Sequence, residues 1–389
     1  MTNITAFFMA LFYSFLAFFG IPFESPDITN TSPLPEVVLT EEERIILETA
    51  FETETAYIAA LQLDNGAIPM TYNANAELTV NPYFSCYAAL ALLDNADKYA
   101  ENVKAYIEWH FAHLNTSKTD YAGIDGTIYD HIITVENGVV TGERMHPRKY
   151  DSSDSYAALF LTVLNKYEKV TGDTEYIFSK RADIKRVVNA MTATMHNGLA
   201  FACPDYKIKF LMDNSEVYEG AVNAAELFER VVCPVDASYN NTLDFCRETA
   251  STVSKTIDRK MWNYYDNHYE TALTQTGTVA AEFKWSTFYP SATSQLFAIS
   301  CGVISPESER AKHLYKKFCE NHDWEHLNFN SEFCWGSVVM AAAKMNDKDG
   351  VVTYVKSYNE KFGDHKYPLY SGDAARVSLG IYEILSKAK

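Results

Sequence analysis

Two acidic turns lead straight into apolar helices, and they are the parts of this chain best equipped for chemistry. In Tyr150 to Leu164, YDSSDSYAALFLTVL, Asp151, Ser152, Ser153 and Asp154 are helix N-cap residue types, followed by a run with no polar face. A helix apolar on every side belongs inside something large, and carboxylates at its start are favoured by unpaired N–H groups and the helix dipole. Asp151 is the expected cap; Asp154, further in, can face the interior as a catalytic or substrate-orienting carboxylate. MDNSEVYEG (212–220) opens a second helix in the same way. There Asp213 or Asn214 would cap, and Glu216 either closes a capping box or projects toward Asp154. A carboxyl raised in pKa by burial and a like-charged neighbour can serve as general acid, while an ionised partner serves as base. DGTIYD (125–130) interleaves Asp125 and Asp130 with Gly126 and Tyr129, either as a gripping loop or as a plain Asp-Gly turn.

The elements that must hold these acids are helices. From Glu41 onward the pattern is helical, with no convincing strand alternation, and twelve segments are expected: 41–61, 81–95, 99–115, 151–171, 175–197, 214–232, 236–264, 287–303, 306–322, 331–346, 349–362 and 371–387. Helices entered from long loops are apolar and rich in small residues, such as YAALALL, YAALFLTVL and WGSVVMAAA. Those entered from short Asp/Ser/Asn turns are amphipathic, as where Val103, Ile107, Phe111 and Leu114 share one face. Six inner and six outer helices in alternation predict an all-α fold, an (α/α)6 barrel of twelve helices, with all long loops and inner-helix N-termini at one end. An open solenoid of stacked hairpins is the alternative.

The region from about residue 41 resembles the six-hairpin glycosidase superfamily, including family 8 endoglucanase-like enzymes and unsaturated glucuronyl hydrolases, with NGAIPM (65–70), DGTIYD and YDSSDSY as the cleft-like segments. The resemblance implies carbohydrate chemistry. Glycosidic hydrolysis takes one protonated and one ionised carboxyl, and needs no cofactor or metal. Asp154 and Glu216 are the expected pair, acting with inversion, and Asp125 is the third carboxylate that could displace either. Asp151, Asp213, Tyr129, Tyr83, Tyr206, Trp285, Trp335 and Arg148 form the expected substrate-binding set, although an aromatic of this kind is more often core than platform and Arg148 could equally be a solvated loop charge. A sugar epimerase or polysaccharide lyase on the same barrel, or a non-catalytic carbohydrate-binding protein, are the alternatives.

Composition narrows the partners. A formal net charge of -18 argues against nucleic acid, which is bound through Lys and Arg. Abundant Tyr and Phe suit both cores and sugar clefts. Thr5 to Phe23 is an uncharged apolar run that reads as a signal peptide or an N-terminal membrane anchor, residues 24–40 as a linker, and 41–389 as the catalytic domain, giving a monomer secreted or held outside the membrane. Seven scattered Cys without CxxC spacing argue for buried thiols rather than disulfides or zinc. HDWEH (322–326) lacks the Glu that a metalloprotease helix needs after its first His, and HFAH (110–113) falls on an outer helix.

Overall fold

A computed structural model describes residues 26–147, 149–329 and 331–389. Expectations that rest on Thr5 to Phe23 and on Arg148 lie outside the described residues. Thirteen α-helices are formed among the described residues: α1 Glu41–Leu61, α2 Pro82–Leu93, α3 Ala96–Ala112, α4 Ser153–Thr171, α5 Thr174–Ser179, α6 Arg181–Thr192, α7 Leu211–Leu227, α8 Asn240–Thr256, α9 Thr293–Ser300, α10 Glu309–Asn321, α11 Ser337–Lys344, α12 Lys348–Phe362 and α13 Ser371–Lys387. None of the described helices is long and apolar enough to cross a membrane.

Burial separates the two kinds of helix that the sequence alternates. Helices α2 and α4 are buried almost throughout, whereas α10 buries only Arg310, Ala311, Leu314 and Phe318. The apolar helices α2, α4, α7, α9, α11 and α13 touch one another in that order, and α13 returns to touch α2. Each is backed by an amphipathic neighbour: α3, α6, α8, α10, α12 and α1 respectively. This mainly helical arrangement is compatible with an α/α toroid. At the seam between α4 and α7 a Cβ on Gly220 would come within 2.6 Å of Ala158 Cα. Glycine there lets the two backbones approach closely enough to bring their N-terminal acids together.

The expectation of no strands is corrected. Strands β1 Ala76–Val80, β2 His131–Glu136 and β3 Val139–Met145 form an antiparallel sheet in the order β1-β2-β3 inside the long loops. Asn137 and Gly138 both take positive φ between β2 and β3, the geometry of a type I′ hairpin turn. Short two- and three-residue strands edge other loops, among them Ile208–Phe210, which pairs with Ala272–Thr274. All seven cysteines are free thiols.

Candidate functional site

The inner-helix N-termini surround a cavity of about 1020 Å³. Glu216, Asp213, Asp151, Asp373, Arg376 and His322 reach it as titratable groups, and Tyr83, Phe84, Phe288, Tyr289, Trp335 and Tyr370 line it as rings.

Local sequence dictates how the acids arrive. The N-cap of α4 is Ser152, one residue beyond the expected Asp151. Asp154 is therefore in the first turn and fully buried, its Oδ1 accepting from Ser152 Oγ at 2.6 Å and from Ser155 N–H at 2.9 Å. Its Oδ2 is buried without a partner. Helix α7 begins at Leu211, a turn earlier than the expected 214, because strand Ile208–Phe210 feeds directly into it and Leu211 N–H donates to Thr271 O at 2.9 Å. Asn214 is then inside the helix, exchanging hydrogen bonds with the Ala200 backbone at 2.7 and 3.1 Å. No capping box forms, and Glu216 is free to point into the cavity one turn after Asp213.

Glu216 Oε1 accepts from Tyr83 Oη at 2.6 Å and Tyr87 Oη at 3.2 Å. The Arg376 guanidinium lies 4.1 Å from the Tyr87 ring centroid and 5.0 Å from that of Tyr83. Burial raises the Glu216 pKa, opposed by these phenols and the Arg376 charge. Asp213 keeps part of its surface open to the cavity, and it is held well above the usual carboxylate range by burial and then by Asp154, Glu216 and Asp151. Asp154 is pushed up to about 7, mainly by burial, with Glu216 adding to it and the Ser152 and Ser155 donors opposing. Three carboxyls this close titrate as a unit rather than singly. Asp373, 3.7 Å from Arg376, is pushed up to about 6 by burial against the pull of that cation.

The expected residues divide clearly. Asp154, Glu216, Asp213, Asp151, Tyr83 and Trp335 meet at or directly behind the cavity. Trp335 has φ +54°, a rare conformation for a bulky residue, and its Nε1–H donates to Ser331 Oγ at 2.7 Å while its ring lies 4.8 Å from Tyr289. Asp125 does not join them: Arg186 Nε donates to it at 3.0 Å, and a Cβ at the neighbouring Gly126 would meet Arg186 O at 2.2 Å. The Asp-Gly pair is thus a turn clamped onto outer helix α6. Tyr129 is core rather than platform, its hydroxyl accepting from Tyr121 N–H at 2.6 Å. Tyr206 is exposed beside Phe210, and Trp285 packs edge-on against Phe283, both outside the cavity lining. The ring contribution expected from Trp285 comes instead from Phe288 and Tyr289, a few residues later.

Two supporting roles go beyond the sequence analysis, which offers Asp130 only as a loop carboxylate and does not single out Arg376. Asp130, the second acid of DGTIYD, is buried with its Oδ1 accepting from Asn81 Nδ2 at 3.2 Å and Tyr156 Oη at 2.9 Å, so it positions two cavity-lining residues. Arg376 carried a signal in being a cation inside an otherwise apolar inner helix, three residues after Asp373.

No family model and no curated protein matches this sequence. Solved structures do match. A wild-type glycosidase aligns with a TM-score of 0.61 at 12% identity, covering 90% of this chain and 98% of that one. An α-amylase from Clostridium perfringens gives 0.57 at 11% identity, over 86% and 97%. A rhamnosidase from Klebsiella oxytoca with rhamnose bound gives 0.58 at 12%, over 92% of this chain and 66% of that chain. At such identities the likeness is one of fold: the chain folds as these glycosidases do.

Proposed function

We propose that this protein is a glycoside hydrolase, its helices forming a closed (α/α)6 barrel whose loop end cuts an oligosaccharide or polysaccharide by carboxylate acid–base catalysis. The observation that carries the reading is the pairing of Asp213 and Glu216 in a ring-lined cavity, backed by buried Asp154. The cavity volume is at the upper end for small-ligand sites, which suits several sugar rings better than one. Glycosidase neighbours of the same fold, one with rhamnose bound, lend the reading further support.

Asp213, its proton affinity raised by burial and by the carboxyls of Asp154, Glu216 and Asp151, is the general acid toward the leaving glycosidic oxygen. Glu216, steadied by two phenols and the Arg376 charge, is the carboxylate that activates water or attacks the anomeric carbon. Asp154 is a positioning residue: too buried to touch a sugar, it raises the proton affinity of Asp213 through its own charge. Trp335 and Tyr289 supply stacking faces. An epimerase or lyase would rely on a His or Tyr as proton shuttle; here His322 Nε2 is engaged with Trp285 O at 2.8 Å and Tyr83 Oη donates to Glu216 at 2.6 Å.

The test is reducing-end release by the chain from Glu41 onward against β-glucans, amino-sugar polymers, rhamnose-containing and uronate-containing polysaccharides, with Asp213→Asn and Glu216→Gln alongside. Release by the unaltered protein alone supports the assignment, and NMR of the first-formed anomer reads whether the outcome is the inversion expected from sequence. Full activity in both variants rejects the pair.

A further inference from the structure

A second cluster lies away from the cavity, where the β1–β3 sheet leans on the end of α3. His113 follows the last turn of α3, His131 opens β2, and Glu143 sits in β3 opposite Ile133. His131 and Ile133 share a sheet face, so Glu143 is the diagonal neighbour of His131 on that face. One nitrogen from each imidazole and one oxygen from Glu143 all lie within 4.8 Å of one another.

The hydrogen bonds fix which nitrogens those are. His113 Nδ1 is 2.6 Å from Trp109 O, and His131 Nδ1 is 2.9 Å from Tyr129 O. A carbonyl only accepts, so Nδ1 carries a proton in both rings and Nε2 is left as the coordinating atom. A backbone carbonyl behind Nδ1 is the usual outer support of a metal-bound histidine. Trp109 completes the frame, stacking on His113 at 4.4 Å, meeting His131 edge-on at 5.3 Å, and donating Nε1–H to Glu143 Oε1 at 3.1 Å. The gap from His113 Nε2 to Glu143 Oε1 is 3.1 Å. That is near the edge of a tetrahedron with metal–ligand bonds of about 2.0–2.2 Å.

From this geometry we propose that His113, His131 and Glu143 form a site for a divalent transition-metal ion of the zinc class, with water as the fourth ligand. Two imidazoles exclude hard ions such as Mg²⁺ and Ca²⁺, which take oxygen ligands. His131 is nearly fully buried, whereas His113 and Glu143 each keep about a quarter of their side-chain surface open, leaving the solvent side for the water. The ion clips the loop sheet to the outer helix layer. It also fixes the chain beside Asp130, which holds Asn81 and Tyr156 at the cavity. The site is structural and independent of the carbohydrate reading.

Full-length protein freed of metal with a chelator is titrated with ZnCl2 by calorimetry and with CoCl2 by visible absorption. One ion per chain, intense four-coordinate cobalt bands and a higher Tm with zinc are expected. His131→Gln and Glu143→Gln should each weaken zinc binding at least ten-fold, while His326→Asn, which removes an exposed His paired with Asp323 at 2.6 Å, changes nothing. Glu143→Gln alters a partly exposed side chain and keeps the test valid should His131→Gln fold poorly. Failure of the unaltered protein to bind, or equal affinity in Glu143→Gln, overturns the proposal.

Discussion

Asp154 and Asp125 are both aspartates at the loop end of the molecule, and their surroundings are opposite. Asp154 is fully buried next to Asp213 and Glu216, with one oxygen unpartnered. Asp125 has 44% of its side chain exposed and pairs with Arg186. One carboxyl has been desolvated among like charges, which stores proton affinity; the other has been neutralised by a cation, which stores only local order. Chemistry belongs with the first arrangement, since a proton donor near neutral pH cannot be made from a solvated, cation-paired aspartate.

The comparison is broken most severely at the cavity. Asp213→Asn or Glu216→Gln should lower kcat/KM about 10²- to 10⁴-fold, the usual contribution of a positioned acid or base, with the fold retained by circular dichroism. Asp125→Asn, assayed beside them, should stay within two-fold. A large loss in Asp125→Asn, with activity kept in the other two, would move the site to the 125–130 loop.

Asp154 sharpens the comparison through pH. Its charge raises the pKa of Asp213, so Asp154→Asn should let Asp213 lose its proton sooner and move the basic limb of the kcat/KM profile to lower pH. An unmoved limb argues against tuning. Stability follows the sign for a raised carboxyl: the contribution of Asp154 is fully present below its unfolded value near 3.8 and is lost as pH rises through about 7. Asn cannot ionise, so the fall in Tm across that window should be smaller in Asp154→Asn than in the unaltered protein.

On the other side of the comparison, Tyr129→Phe should leave turnover intact and cost stability. Its hydroxyl is the acceptor for Tyr121 N–H and also donates to Thr119 O at 3.3 Å. Leaving the Tyr121 donor without that partner costs about 1–3 kcal/mol, readable as a lowered denaturation midpoint at unchanged m.

Twelve helices were expected and thirteen form among the described residues; the alternation was legible because inner helices are apolar all round and outer ones are striped, a pattern that depends on burial alone. Boundaries failed where a single backbone conformation intervened. Helix α11 starts at Ser337 rather than 331 because Trp335 is left-handed, and the segment from 175 divides at Lys180, where no Gly or Pro marks the break. The sheet was missed although HIITVENGVV carries β-branched residues around an Asn-Gly turn; its strands are short and lie in loops that read as irregular. At the site, Glu216 and Asp154 were legible as acids beside caps. The roles of Asp213 and Arg376 were not, since those depend on which charges face one another across α2, α4, α7 and α13, a relation set by helix packing rather than spacing. The metal cluster is hidden for the same reason: His113, His131 and Glu143 come from three elements.

The smallest effect is the most diagnostic of what Asp125 is for. Arg186 keeps Asp183 at 2.8 Å and Asn115 O at 2.9 Å when Asp125 is neutralised, so its guanidinium is not stranded. The pair is partly solvated, and its loss through Asp125→Asn should cost about 0.2–1 kcal/mol, shrinking as salt is added. Gly126→Ala one residue later should cost more, because its φ of +92° and the Arg186 carbonyl leave no room for a Cβ, and that cost should not respond to salt. Equal and salt-independent losses in the two variants would mean that Asp125 acts through turn geometry rather than charge. A salt-sensitive loss confined to Asp125→Asn fixes it as a surface ion pair holding the loop onto α6.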